Sequence, residues 1–298
     1  MDTIEIKNLT KDYGNKRGIF DINLTIKKGE MLGFVGTNGS GKTTTIRSLM
    51  GFIKPTSGHC FINGKECWKN ASENAKNIGY VPGEIAFPDL KTGNEFLKNQ
   101  AEFLHLKSGD YANEMTKKLQ LDTSANLKRM SKGMKQKTAL VAALMGNPDI
   151  ILLDEPTTGL DPLMRVAFMN LIEEEHHKGK TILMSSHMFE EVQESCDRVA
   201  LISDGHIIDI VSMNDIKNRP CKDYKIEFLN KEDFKKFMEL GFNAARVQKK
   251  YNQVTVNIKN DEINVLFKEL KGLKVKFISE IPYTLKRHFD EVLKVENN

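Results

Sequence analysis

Residues Gly36-Thr37-Asn38-Gly39-Ser40-Gly41-Lys42-Thr43 match the spacing GxxxxGK[ST] at every fixed position. No other stretch constrains the fold as much, because such a loop works only where a strand gives way to a helix. There, glycines let backbone N–H groups converge on phosphate oxygens at a helix N-terminus, the lysine reaches the β and γ phosphates, and the hydroxyl takes a Mg2+ position. The flanks agree with that context. EMLGFVG reads as a strand, and TTTIRSLMGF carries Ile46, Leu49 and Met50 at i, i+3 and i+4 with Gly51 at its end. Gly36, Thr37, Asn38, Gly39, Ser40, Gly41, Lys42 and Thr43, with Thr44 beside them, are therefore the expected contacts to ATP, and Thr43 a metal ligand.

A second run, Ile151 to Pro156 (ILLDEP), is an apolar strand ending in two carboxylates. In a parallel sheet both would stand at the C-terminal edge, where ligands of such sheets bind. Asp154 is expected to hold the metal through water, and Glu155 to orient and deprotonate the attacking water. Alone, an acidic pair after an apolar run equally describes a surface turn; beside the phosphate loop it reads as a catalytic pair.

The rest of the chain supplies a scaffold of the right kind. IEIKNLT and GIFDINLTI read as strands ahead of the loop, and residues from about 89 to 146 as a helical insert carrying NEFLKNQAEFLHL, YANEMTKKLQL and GMKQKTALVAALMG. A helix is expected near Arg165 to His177, then a buried strand, TILMSS. Strands alternating with helices predict a largely parallel α/β sheet. With 298 residues, one large and one small domain are expected, and Arg219-Pro220 mark the break. We place a first domain at residues 1–218 and a second at 222–298. The second reads as strand, helix, strand, strand, helix, strand, helix, the order of a small α+β, ferredoxin-like unit.

Composition narrows the classes further. No window approaches the roughly 18 consecutive apolar residues of a spanning helix, so any transport role needs a partner in the membrane. The N-terminus has no basic head before an apolar block, which predicts a chain that is not secreted. Four cysteines without CxxC spacing read as reduced thiols rather than a metal site. The net charge of +4 lies wholly in residues 222–298, where 16 Lys+Arg face 12 Asp+Glu. That excess describes either a solvated face or one turned toward an acidic membrane.

With these motifs the sequence resembles the nucleotide-binding domain of ABC proteins over about residues 3 to 216. The resemblance adds Met130-Ser131-Lys132-Gly133-Met134 followed by Lys135-Gln136-Lys137, similar to the family signature; Thr158-Gly159-Leu160-Asp161, its D-loop; and Ser185-Ser186-His187, its switch histidine. It implies a P-loop ATPase core with an antiparallel β subdomain and a helical subdomain. It also implies that Tyr13 stacks on adenine, that His187 joins Lys42 and Glu155 in catalysis, and that Ser131 and Gly133 hold the γ-phosphate bound by a second subunit. A homodimer or heterodimer is thereby implied, joined to a separate transmembrane permease from the cytoplasmic face, with no nucleic acid. YVPGE, SKGM and the extra domain resemble prokaryotic exporters of drugs, antimicrobial peptides and other amphipathic cargo. The other class of function is an ABC ATPase acting on nucleic acid or ribosomes.

Two positions depart from the family pattern. Lys132 replaces the first signature glycine, and Gly83 stands where the Q-loop usually has glutamine. Glycine there is expected to make a backbone hinge, using dihedrals closed to other residues. Glu84 or water would then take over part of the glutamine's work, unless Glu84 serves the partner or is only solvated.

Overall fold

The computed structural model describes residues 2–296. The chain divides into two compact units, one ending at Ser212 and one beginning at Met213, and each is described by itself.

In the first unit, β1 (Asp2–Asp12), β2 (Gly18–Lys27), β4 (Ser57–Ile62) and β5 (Lys65–Glu66) form an antiparallel sheet in the order β2-β1-β4-β5. Alternation decides its inner face: Ile4 and Ile6 pair with Ile26 and Leu24, and all four are buried. A second sheet runs β10-β9-β3-β8-β7-β6. It contains β3 (Met31–Val35), β6 (Ile78–Val81), β7 (Ile150–Asp154), β8 (Thr181–Ser186), β9 (Arg198–Ser203) and β10 (His206–Ser212). The first five of these are parallel and β10 is an antiparallel edge. Every residue of β3, β7 and β8 is buried, as expected of strands covered on both faces.

Helices α1 (Lys42–Leu49), α2 (Ala71–Ala75), α6 (Pro162–His177) and α7 (Phe189–Ser195) connect these strands, while α3 (Gly93–Phe103), α4 (Asp110–Lys118) and α5 (Lys132–Leu144) form the helical insert. Helix α6 starts three residues before the predicted Arg165. Pro162 suits the first turn, where its missing N–H costs nothing, and the Asp161 carboxylate accepts from Met164 N–H at 3.0 Å. The α/β core of this unit is thus the predicted arrangement, with β6, β9 and β10 added. Strands β9 and β10 carry no motif, and β6 overlaps YVPGE only at Tyr80 and Val81.

The second unit opens with α8 (Met213–Lys217), then β11 (Cys221–Phe228), α9 (Lys231–Glu239), β12 (Ala244–Gln248), β13 (Gln253–Lys259), α10 (Ile263–Leu270), β14 (Val275–Ile281) and α11 (Leu285–Glu296). Its sheet runs β12-β13-β11-β14 with every neighbouring pair antiparallel. Ile226, Phe228, Val254, Val256 and Ile258 pack on Phe234, Phe237, Leu266 and Leu270 to make a core of its own.

Candidate functional site

The site grows from the end of β3. Val35 is followed by a turn that only glycine can make at two points. A Cβ on Gly36 would lie 2.1 Å from the Ile202 carbonyl oxygen, and Gly41 has φ +111 with Ile19 Cγ2 only 2.5 Å from where its Cβ would be. Gly41 caps α1 without any side-chain hydrogen bond, so the first amides of that helix are left for an anion.

Lys42 opens α1 and is 4% exposed. Its Nζ donates to the carbonyls of Gly36 at 2.8 Å and Thr37 at 2.9 Å, and stands 3.2 Å from Glu155 Oε1. The ammonium is therefore held across the mouth of its own loop. Glu155 follows β7 in the left-handed region, φ +47, an uncommon place for a glutamate. Ser185 at the end of β8 secures it: Glu155 N–H donates to Ser185 Oγ at 2.9 Å and to its carbonyl at 3.2 Å. Ser185 Oγ in turn donates to Asp154 Oδ1 at 2.8 Å. The parallel register that pairs Asp154 with Ser185 makes this network possible.

The far oxygen of Glu155 has two partners, His187 Nδ1 at 3.0 Å and the Thr158 hydroxyl at 3.2 Å. Burial pushes the Glu155 carboxyl up, but the neighbouring Lys42 ammonium and His187 pull it further down, and it ends below its ordinary value. Glu155 is thus ionised at neutral pH.

These groups border a cavity of about 850 Å3. Among the residues expected from the sequence it brings together Tyr13, Asn38, Gly39, Gly41, Lys42, Thr43, Thr44, Asp154 and Glu155. Tyr13, 55% exposed, stands at the rim. Gly36, Thr37 and Ser40 belong to the loop but not to the cavity wall, and His187 reaches the site only through Glu155. Ser131 and Gly133 do not line this cavity. Ser131 instead caps α5, its Oγ accepting from Met134 N–H at 3.2 Å.

Lys16, Arg17, Arg47, Lys132, Thr158 and Asp204 also line the cavity. Lys16, Arg17, Arg47 and Asp204 lie outside every quoted motif, and no sequence signal marks them. Gly83 departs from its expected part. Its φ is not in the left-handed region, so no special dihedral requires glycine. Small size is what the site uses: a Cβ on Gly83 would stand 3.2 Å from the Asp154 carbonyl oxygen and 3.6 Å from its Oδ2.

The chain matches the ABC transporter family over residues 19–158. It is 33% identical over 246 residues to the bacitracin transport ATP-binding protein BcrA of Bacillus licheniformis, an alignment covering 80% of this chain and 79% of that protein. Identity is also 33% to the linearmycin resistance ATP-binding protein LnrL of Bacillus subtilis, over 72% of this chain and 71% of the relative. Among solved structures, an ATP-binding subunit of an ABC transporter superposes with TM-score 0.66 at 28% identity, over 72% of this chain and 92% of that one. The dimeric ATP-binding cassette MJ0796, in a post-hydrolysis state with ADP and Pi, gives 0.65 at 27% identity, over 70% and 98%.

Proposed function

This chain belongs to the ABC transporter family of ATP-binding subunits, and on that premise we propose how its residues hydrolyse ATP and what they drive. It binds ATP, hydrolyses it and powers a transporter. The observation that carries the residue assignment is the meeting of Lys42, His187 and Glu155 on one carboxylate.

Triphosphate entering the loop would draw Lys42 from Glu155 to the β and γ oxygens, while the α1 amides take the remaining charge. Freed from that ammonium, Glu155 gains proton affinity and can accept a proton from water held between it and His187. The water oxygen attacks the γ phosphorus, the bond to the β,γ-bridging oxygen breaks, and ADP leaves with that electron pair. The Thr43 hydroxyl and Asp154 fit Mg2+. Both are oxygen donors on the same cavity, and the Thr43 hydroxyl has no side-chain hydrogen bond among the described residues. Bound there, Mg2+ would neutralise charge on the phosphates. Tyr13 at the rim fits an adenine ring.

The partners follow from what the site lacks in one chain. Ser131 and Gly133 lie off their own cavity, which supports their serving ATP on a second subunit, identical or related. No helix among the described residues is long and apolar enough to cross a membrane, which supports a separate permease with this chain on its cytoplasmic face. An apolar groove of about 240 Å3 lined by Tyr80, Ile85, Phe87, Phe96 and Leu104 suits a short helix of that permease. Pro82 and Ile85 line the groove while Gly83 and Glu84 line the nucleotide cavity, so one loop touches both. The names of BcrA and LnrL support export of antibiotic-like amphipathic cargo. For the second unit, a strand order of β12-β13-β11-β14 supports the ferredoxin-like reading, as an accessory domain.

Coexpression with the permease tests the reading. Ile85→Asp should leave hydrolysis by the isolated chain intact and abolish its stimulation by the permease. Full stimulation of that variant would place the permease elsewhere.

A further inference from the structure

Glu191, on α7, is a buried carboxylate that the hydrolysis mechanism leaves unused. Its Oε2 accepts hydrogen bonds from the Thr157 hydroxyl at 2.8 Å and from the Ser186 hydroxyl at 3.2 Å. Its Oε1 stands 3.2 Å from Arg165 Nε on α6. A buried charge is costly unless it is both paired and hydrogen-bonded. Here the partners supply both, so the carboxylate is fixed in place. What it joins is specific: Thr157 comes two residues after Glu155, and Ser186 comes immediately before His187. Ser186 Oγ also accepts from Met188 N–H at 2.9 Å, which steadies His187 from both neighbours. Thr158, whose hydroxyl bonds Glu155 at 3.2 Å, lies between Thr157 and Arg165, so the carboxylate pins the chain on both sides of it.

We propose that Glu191 is a positioning residue for ATP hydrolysis, holding the turn after β7 and the end of β8 so that Glu155 and His187 face each other across the attacking water. The inference rests on reading Glu155 and His187 as the pair that handles this water. Strand pairing does not reach them. The β7–β8 ladder ends at Asp154 and Ser185, and the last paired residue of β8 is Ser186. Beyond that point side-chain bonds set where Glu155 and His187 point, and their 3.0 Å contact depends on both segments at once. Glu191, Thr157 and Ser186 do not line the nucleotide cavity. Any effect of Glu191 on the reaction therefore passes through the two residues it steadies.

The test uses the whole chain and separates turnover from binding. Thr157→Val keeps the shape and removes the 2.8 Å bond. It should lower kcat by roughly tenfold through misplacement of the pair, and leave Kd for a slowly hydrolysed ATP analogue with Mg2+ within about twofold. Glu191→Ala should lose more, and Glu191→Gln, which keeps an acceptor for the hydroxyls, should recover most of that loss. Glu190→Gln, an equal change of charge at the exposed neighbour, should leave kcat unaltered. The deciding measurement repeats Thr157→Val in a His187→Ala chain, where the pair is already broken. There the residual turnover should change by less than about twofold, since residues acting as a unit are not additive. Wild-type kcat in Thr157→Val, or an equal loss in both backgrounds, overturns the positioning role, and Thr157→Val decides this even if Glu191→Ala does not fold. Undiminished turnover in His187→Ala by itself would overturn the pair, and this inference with it.

Discussion

Lys42 Nζ stands 3.2 Å from Glu155 Oε1, so the lysine of the phosphate loop and the carboxylate after β7 neutralise each other across the cavity. Two groups from distant parts of the chain thus hold each other in place until a phosphate competes for the lysine.

On the proposed mechanism, replacing Glu155 by glutamine removes the proton acceptor and keeps the shape. Phosphate release should fall by about 10²–10⁴-fold, the usual worth of a positioned base, while ATP binding persists. The same variant should accumulate as an ATP-dependent dimer in size-exclusion chromatography. Turnover at the wild-type rate would remove Glu155 from the mechanism.

The pair also predicts a pH dependence of stability. Glu155 is held below its ordinary value of 4.5 by Lys42 and His187 against the opposing effect of burial. Between the lowered folded value and 4.5 the unfolded chain binds more protons, so stability rises with pH there. Wild type should exceed Glu155→Gln by about 1 kcal/mol in urea unfolding from about pH 8 to about pH 5, discounted for the partly exposed pair. That advantage should shrink as pH falls below 4.5 and through the folded value. A difference that grew on acidification would show that the carboxylate is not stabilised by its neighbours.

Gly83 packs against Asp154 rather than supplying a special dihedral, so restoring a side chain should harm the site. Gly83→Ala places a Cβ 3.2 Å from the Asp154 carbonyl oxygen, and β7 lies paired on both sides by β6 and β8, with little room to give. Gly83→Gln adds the same Cβ. Both should lower kcat several-fold at saturating Mg2+ (about 1 kcal/mol of misplacement). Glu84→Ala should spare basal hydrolysis and reduce stimulation by the permease if Glu84 serves the partner; a fall in both would place it with the metal. Higher activity in Gly83→Gln would mean that the contact with Asp154 is harmless.

A chain ending at Ser212 keeps both sheets of the first unit and every residue that lines its cavity of about 850 Å3. It should remain folded and bind ATP within about twofold of the whole chain, because every residue lining the cavity precedes the cut. Insoluble or nucleotide-free protein would show that the second unit completes the first.

What the sequence determined by itself is whatever a few neighbouring residues dictate. Gly36 to Thr43 form a phosphate turn because the glycines are needed within the turn itself, and Leu152 to Glu155 announce a buried strand ending in acids. Ile263, Leu266, Phe267 and Leu270 mark α10 through their spacing. The tertiary structure decided which of these local pieces meet. Parallel pairing of β7 with β8 sets Ser185 beside Asp154, and pairing of β3 with β8 brings the loop toward Glu155 and His187. No periodicity announced β9 or β10, the Gly83 contact with Asp154, or the meeting of Thr157 and Ser186 on Glu191. The reason is range: hydrophobic period and turn chemistry act over a few residues, whereas these meetings depend on strand register and close packing between segments far apart in the chain.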